Sequence, residues 1–271
     1  MTRLTCNANV GVLVALVLMV SAAPVAAQND EEYDKIYPFL GNWDSRISMP
    51  DGQDRGNCGG RTDEFGVKLV NCSMPVGQLP LNARGEAWLK YMDIYQSPST
   101  TECVGLSLPS ALGSAGNISF SASPGRVVIN VSQFGERTVW MNGSGPTPQN
   151  GELFYQTGYS VGRFDGADLV FETSRFTFDP DGMDDHLHMA NSARMRFTER
   201  YQFIDQDNLR LIMTIDDPIF LTRPFTYSRL FSRAPARGGQ GGGWTFCDPE
   251  ASRREVEFNY PQSKYSTGEQ R

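Results

Sequence analysis

Residues 117–141 read NISFSASPGRVVINVSQFGERTVWM, and this stretch decides the fold class. Apolar and polar side chains alternate in three short runs, which are separated by the turn-forming sequences Ser-Pro-Gly and Phe-Gly-Glu. Alternation with a period of two is typical of strands that have one buried face. The stretch therefore predicts three short consecutive strands connected by tight turns.

The same alternation extends along most of the chain. Further strands are predicted at residues 45–49, 65–70, 159–164, 169–173, 194–203, 209–215 and 225–231, with hairpin turns at 165–167 and 205–208. A helix is predicted at residues 82–95, where Asn82 can cap the first turn. Because helices do not alternate with the strands, a doubly wound α/β fold is excluded. A meander of short strands favours a barrel or a sandwich, and we predict an all-β, antiparallel β-barrel with one short helix.

The first 27 residues have the composition of a cleaved signal peptide. Arg3 precedes an apolar core at residues 10–20, and small residues follow at 22–27. The core is about eleven residues long, which is shorter than the ~20 residues of a membrane-spanning helix. We therefore predict a periplasmic or secreted protein without stable membrane insertion. Residues 28–271 are expected to form one domain with a flexible C-terminal tail.

The charge of the chain excludes one class of partner. The formal net charge is −7 at pH 7, and no basic patch interrupts the acidic composition. Such a chain attracts neither nucleic acid nor anionic lipid. Nucleic acid is therefore not an expected partner.

Four cysteines remain once Cys6 is removed with the signal peptide: Cys58, Cys72, Cys103 and Cys247. An even number in an oxidising compartment predicts two disulfides, for which three connectivities exist. We favour Cys58–Cys72, which closes a short glycine-rich hairpin, and Cys103–Cys247. The second bridge would tie down the tail that follows the glycine-rich linker at residues 236–243.

Residues 37–43 read YPFLGNW and lead into a predicted strand. The aromatic-flanked Gly41-x-Trp43 resembles the opening strand of lipocalin-like barrels. In those barrels the Trp closes the barrel floor and the Gly permits a close backbone approach. The alternative is simply a buried core Trp, and the two interpretations are compatible.

Three longer segments resemble a family of uncharacterised secreted bacterial proteins. Residues 158–173 read GYSVGRFDGADLVFET, residues 197–201 read FTERY, and residues 214–225 read TIDDPIFLTRPF. They are similar to that family's GHSIGRWEGDTLVVDT, TERY and TIDDPxxYTKPW blocks. The resemblance implies a periplasmic, lipocalin-like β-barrel and says little about chemistry. Cys103 and Cys247 also sit where the family usually has Cys, which favours their pairing.

The chain departs from that family at several histidines. Positions that hold His in many relatives are occupied here by Tyr159, Gly145, Asn191 and Arg196. If those histidines form a catalytic or metal site in the relatives, this chain lacks that version of it.

The two histidines of the chain lie together in Asp184-Asp185-His186-Leu187-His188. On a strand, Asp184, His186 and His188 would share one face and form the residue set of a two-His-one-carboxylate metal site. The segment follows the turn-like residues Asp179-Pro-Asp-Gly182, so the alternative is a solvated polar loop. A metal is thus the one cofactor for which the sequence provides candidates.

Two functions are compatible with a barrel of this kind. The first is binding of a hydrophobic or aromatic small molecule among aromatic side chains, with the alternative that these side chains fill the core completely. The candidate ligand-binding residues are Trp140, Tyr159, Phe171, Phe197, Tyr201 and Tyr227.

The second function is an enzyme, a hydrolase, lyase or isomerase that acts on a small apolar substrate. Its candidate acids and bases are Tyr159, Glu199, Asp184, His186 and His188, at least two of which must converge in one pocket. For Glu199 the alternative is a cross-strand ion pair with Arg163 or Arg210.

The predicted disulfides can be tested by their different effects on stability. A Cys103–Cys247 bridge closes a loop of about 144 residues, for which chain entropy contributes about 4–5 kcal/mol, against ~3 kcal/mol for the short Cys58–Cys72 loop. We therefore expect Cys247→Ser to lower Tm more than Cys58→Ser, measured by thermal denaturation. Mass mapping of a non-reducing digest decides the connectivity, and finding Cys58 joined to Cys103, or four free thiols, would refute it.

Overall fold

The structure, a computed structural model, describes residues 33–45, 79–93, 95, 97–114, 116–131, 135–184, 188–235 and 248–259. Its strands are β1 (Gly41–Asp44), β2 (Asn117–Ser123), β3 (Arg126–Val131), β4 (Gly135–Met141), β5 (Tyr159–Asp165), β6 (Asp168–Ser174), β7 (Asp179–Asp184), β8 (Met189–Asn191), β9 (Arg196–Phe203), β10 (Asn208–Asp216) and β11 (Phe225–Ala234). Its helices are α1 (Ala83–Tyr91), α2 (Pro98–Thr101), α3 (Leu108–Ser114) and α4 (Pro249–Asn259), and a 3₁₀ turn spans Tyr37–Phe39.

Nine strands close into a barrel in the order β1-β11-β10-β9-β6-β5-β4-β3-β2, and β2 returns to pair with β1. The predicted all-β barrel is therefore confirmed. Two details of the prediction are wrong. The pair β4–β5 is parallel, because the connection at residues 142–158 carries the chain back before β5 begins. The described chain also contains several short α-helices instead of one.

Strands β7 and β8 form a separate two-stranded sheet beside the barrel. The sequence predicts a turn at Asp179-Pro-Asp-Gly182, but these residues begin β7 and are largely buried. The turn-forming composition is overridden here by packing, since α3 lies against β7 and α1 lies against β8.

The hairpin turn predicted at residues 165–167 is confirmed. Asp165 pairs with Asp168 across a two-residue loop, and Gly166 in that loop has φ +64°, a conformation that glycine adopts without steric cost. The predicted helix cap is also confirmed, since Asn82 Oδ1 accepts hydrogen bonds from the backbone N–H groups of Arg84 (2.9 Å) and Gly85 (3.1 Å).

Trp43 on β1 is completely buried, as the Gly-x-Trp pattern predicts. Its indole Nε1 donates to the carbonyl oxygen of Phe39 at 2.8 Å, and the guanidinium of Arg233 lies 4.3 Å from its ring centroid. The expected reason for Gly41 is wrong. A Cβ there would meet no atom of the described residues within 4 Å, so glycine is favoured there by its φ of +98°.

The two ends of the barrel are covered by different segments. At the end that carries the β2–β3, β5–β6 and β9–β10 turns, the Phe39 ring packs against the rings of Phe164 and Phe203. We call this end the mouth. At the other end α3 contributes fully buried Leu108, Ala111 and Leu112 to the core.

Several predictions fall outside the described residues. They concern the signal peptide at 1–27, the strand at 65–70, the linker at 236–243, and the residues Cys58, Cys72, Cys247 and His186. Within the described residues, no helix is long and apolar enough to cross a membrane.

Gly162 on β5 offers a direct test of packing inside the barrel. A Cβ at this position would lie 2.5 Å from Met141 Sδ and 2.9 Å from ring and methyl carbons of Phe171 and Val139. We expect Gly162→Ala to reduce the free energy of unfolding by about 1–3 kcal/mol, measured by urea denaturation. Gly116→Ala is the matched control, because its Cβ would meet nothing within 4 Å. Equal stability of the two variants would contradict this packing.

Candidate functional site

The barrel interior contains three buried charges. Buried and more exposed positions alternate along β4 and β9, and the odd-numbered residues of β11 pair with the buried odd-numbered residues of β10, so one set of side chains faces inward. Among these inward-facing positions in the described strands, the buried charged side chains are Arg137 on β4, Glu199 on β9 and Arg229 on β11. Two cations and one anion therefore lie on the inward-facing positions of the described barrel strands, and the buried Asp184 of β7 helps to raise the pKa of Tyr227.

Arg137 and Glu199 form an ion pair across the interior. Arg137 Nη2 lies 2.5 Å from Oε1 and 2.6 Å from Oε2 of Glu199, and both side chains are at most 1% exposed. A buried pair of this kind requires further hydrogen bonds to offset the loss of hydration. Arg137 Nη1 supplies them by donating to Ser160 Oγ (3.2 Å) and Thr173 Oγ1 (3.3 Å).

Tyr201 completes the network on the Glu199 side. Its hydroxyl donates to Glu199 Oε1 at 2.7 Å. Burial, followed by the nearby Glu199 carboxylate, raises the pKa of Tyr201 well above its usual value. Tyr201 therefore remains a protonated donor at every physiological pH.

Arg229 has a different environment. Its Nη1 donates to the carbonyl oxygen of Leu112 in the last turn of α3 at 2.6 Å, while its Nε has no hydrogen-bond partner. The guanidinium lies 5.4 Å from the centroid of the Phe231 ring. Burial lowers the pKa of Arg229 to about 10, so the side chain is still a cation at neutral pH.

A cavity of about 330 Å³ opens at the mouth of the barrel. Its walls come from the N-terminal segment, the β2–β3 hairpin and the ends of β4 and β5. The lining residues are Tyr33, Ile36, Ala122, Ser123, Pro124, Gly125, Arg126, Val127, Met141 and Phe164. At the rim Arg126 Nε donates to Ser123 Oγ at 2.9 Å, so the apolar cavity has one polar edge.

Four of the six candidate ligand-binding residues lie inside the barrel. Phe171, Phe197, Tyr201 and Tyr227 are each at most 1% exposed. The Tyr201 ring contacts the rings of Phe120 and Phe171 at centroid distances of 5.1 and 5.4 Å. In the described structure these aromatic side chains pack against one another, and none of them lines the mouth cavity.

The other two candidates, Trp140 and Tyr159, lie on the outer face. Trp140 pairs with the exposed residues Arg126 and Val161 on neighbouring strands. The Tyr159 hydroxyl donates to the carbonyl oxygen of Pro146 at 2.7 Å. Both side chains would be within 2.6 Å of a Cβ placed on Gly145, so they pack on the 142–158 connection.

His188 is held beside the β7–β8 sheet by Asp181. Its Nδ1 lies 3.0 Å from Asp181 Oδ1, and Asp181 Oδ2 accepts from Ser97 Oγ (2.5 Å) and Ser99 Oγ (2.7 Å).

Asp184, a predicted metal ligand, is buried at the end of β7, where it pairs with Met189 of β8. Across the described part of the chain, no group of three His, Cys, Asp or Glu side chains could hold a metal. His186 lies outside that part, so the metal site remains a prediction.

Three of the described catalytic candidates do not converge. Glu199 is inside the barrel, Tyr159 is on its outer face, and His188 lies beside the separate β7–β8 sheet. The suggested partners of Glu199 are wrong as well. Arg163 pairs with Glu172 on the surface at 2.8 Å, and the counter-ion of Glu199 is Arg137.

Sequence reasoning missed Arg137 and Arg229, although a signal existed. Arg137 is in phase with the buried residues Val139 and Met141, and Arg229 is in phase with Tyr227 and Phe231. In a strand of period two, both arginines must share the apolar face.

Comparisons of the chain with protein-family models, with curated proteins and with solved structures found no match.

The buried ion pair makes a strong prediction about stability. Glu199→Gln leaves Arg137 as an uncompensated buried charge and should cost about 3–5 kcal/mol of unfolding free energy in urea denaturation. Glu172→Gln, which breaks the half-exposed pair with Arg163, should cost less than ~1 kcal/mol. Similar losses for the two variants would show that the interior pair is not the stabilising one.

Proposed function

We propose that this chain is an exported β-barrel that binds a hydrophobic or aromatic small molecule in the cavity at the mouth. The observation that carries the proposal is that cavity, with its volume of about 330 Å³. Small-molecule sites are typically concave and mostly apolar, with volumes of roughly 300–1,000 Å³. A cavity at the low end of this range suits a ligand of up to three aromatic rings or a short alkyl chain.

The composition of the cavity wall supports an apolar ligand. Ile36, Val127, Met141 and Phe164 supply aliphatic, thioether and aromatic surface. Methionine is flexible and polarisable, so Met141 can adapt to ligands of different outline. Ser123 and Arg126 place hydroxyl and guanidinium groups at the edge, where they can orient a ligand that has one polar end.

Export remains part of this proposal and is supported by the sequence of residues 1–27. The Cys103–Cys247 bridge is supported by a contact near its expected position. Ser252 Oγ on α4 lies 3.6 Å from Cys103 Sγ, and Arg253 pairs with Glu102 at 2.5 Å. Helix α4 begins two residues after Cys247, so both contacts bring that part of the tail near Cys103. Membership of the secreted bacterial family likewise rests on its three sequence blocks.

The proposal can be tested by filling the cavity. Ala122 lines it, whereas the adjacent Ser121 is exposed on the opposite face of β2. We expect Ala122→Leu to weaken binding of the apolar fluorophore N-phenyl-1-naphthylamine about tenfold, equivalent to ~1.4 kcal/mol, and Ser121→Leu to leave binding unchanged. Fluorescence titration measures both affinities.

Native mass spectrometry of the purified protein is the complementary measurement. A co-purifying molecule that is retained by Ser121→Leu and lost from Ala122→Leu would identify the natural ligand. The proposal fails if the unmodified protein neither binds the fluorophore nor carries a molecule, or if both variants bind equally well.

A further inference from the structure

We propose that a groove beside helix α1 binds a planar aromatic monocarboxylate, at a site separate from the mouth cavity. The groove has a volume of about 500 Å³, and its walls come from α1, from residues next to the β7–β8 sheet and from the turn between β10 and β11. We call it the α1 groove and define it by its aromatic residues Trp88, Tyr91, Phe178 and Phe220. None of the residues that line it lines the mouth cavity, so the inference goes beyond the proposed function.

The first argument is the aromatic surface that the groove leaves open to solvent. Tyr91 and Phe178 are large side chains, yet they are 42% and 49% exposed. The Trp88 ring contacts the rings of Phe178 and Phe220 at centroid distances of 5.6 and 6.2 Å, so these three rings form one continuous surface. A contiguous exposed apolar surface of this kind is typical of a binding groove. The volume of the groove also lies within the range of small-molecule sites.

The second argument is that the aromatic wall is already held in place. Trp88 Nε1 donates to the carbonyl oxygen of His188 at 2.8 Å, which fixes the plane of the indole. Asn82 Nδ2 donates to the carbonyl oxygen of Ile219 at 3.1 Å, which fastens the start of α1 to the β10–β11 turn. A ligand that enters a preorganised groove loses less binding energy to the ordering of side chains.

The third argument is the charge of the lining. Among the described residues that line the groove, Arg84 is the only charged one, and it is exposed on α1. In the described structure no carboxylate pairs with its guanidinium. Glu86 and Lys90 are also exposed on α1, but they do not line the groove and their charges are opposite. Arg84 therefore gives the groove a positive edge, which favours an anionic ligand.

A buried acid behind the lining does not face the ligand. Asp217 is completely buried and accepts hydrogen bonds from the Ser192 N–H (2.6 Å), the Ser192 hydroxyl (2.8 Å) and the Ile219 N–H (3.0 Å). These three donors stabilise its negative charge inside the protein. Ser192 and Ile219 line the groove, whereas Asp217 does not.

These features together define the ligand class. Flat aromatic rings pack against Trp88 and Phe178 with an attraction that exceeds simple apolar burial. One guanidinium matches one carboxylate, since its parallel N–H donors meet both oxygens. An aliphatic anion would use only Arg84, and a neutral aromatic compound would use only the rings. A planar aromatic monocarboxylate uses both.

The experiment uses the full mature chain, labelled with ¹⁵N at its tryptophan indoles, and compares 2-naphthoate with its neutral analogue 2-naphthamide. We expect 2-naphthoate to shift the Trp88 indole N–H signal, assigned with Trp88→Phe, and to leave the signal of the buried Trp43 unchanged. Arg84→Gln should weaken 2-naphthoate binding about threefold to fivefold and leave 2-naphthamide binding unchanged. Arg254→Gln is the matched control, because Arg254 is 64% exposed on α4 and does not line the groove.

A steric variant tests the position of the site independently of its charge. Ala87 lines the groove, whereas Ala83 is exposed on the same helix and does not line it. We expect Ala87→Leu to weaken binding of both naphthalene compounds about tenfold and Ala83→Leu to leave it unchanged. Leucine is a strong helix former and both positions are exposed, so both variants should fold.

Four results would overturn the proposal. Three of them are a Trp88 signal that 2-naphthoate does not shift at millimolar concentration, a shift that Ala87→Leu retains in full, and equal effects of Arg84→Gln on the two compounds. The fourth is a Trp88 signal that moves with protein concentration alone, because a second copy of the chain would then occupy the groove. The mouth cavity is tested separately, since Ala122→Leu should weaken binding of N-phenyl-1-naphthylamine and leave the 2-naphthoate shift of Trp88 intact. Failure of one site therefore does not imply failure of the other.

Discussion

The ion pair between Arg137 and Glu199 is the constraint on which the interior of this barrel depends. Neither charge can be buried alone, so each fixes the position of the other and of the groups that complete their hydrogen bonds. Ser160, Thr173 and Tyr201 are those groups, and they come from β5, β6 and β9. The pair thereby sets the register of four strands relative to one another. Both carboxylate oxygens of Glu199 accept hydrogen bonds within this network.

Much of the fold follows from the period-two pattern of the sequence. The alternating apolar residues Val127, Ile129 and Val131 predict β3. Gly166 predicts the turn between β5 and β6. The parallel pairing of β4 with β5 was not predictable in this way. Alternation identifies which face of a strand is buried, but it carries no information about the direction of the neighbouring strand. Asp179 and Gly182 were misjudged because their turn propensity is outweighed by burial against α3.

The candidate sites were less predictable than the fold. Aromatic composition identified Phe171, Phe197, Tyr201 and Tyr227 as interior residues, yet it also included Trp140 and Tyr159, whose phase places them outside. The mouth cavity depends on how Ile36 approaches Val127 and Met141, which are distant in sequence. No local pattern encodes such a contact. Arg229 carries a local signal, but its hydrogen-bond acceptor, the carbonyl oxygen of Leu112, is distant in sequence.

The pairing of the strands has a consequence for how the barrel moves. Strand β4 meets β5 through three residue pairs, and β1 meets β11 through three. Strand β1 meets β2 through four pairs, and the remaining joins have five to eight, with eight in both β9–β10 and β10–β11. The barrel thus consists of two curved sheets, β1–β4 and β5–β11 without β7 and β8, joined along two short seams. Amide hydrogens along these seams should exchange with solvent sooner than those of β9 and β10, and transient parting of the sheets provides a route into the lumen without unfolding.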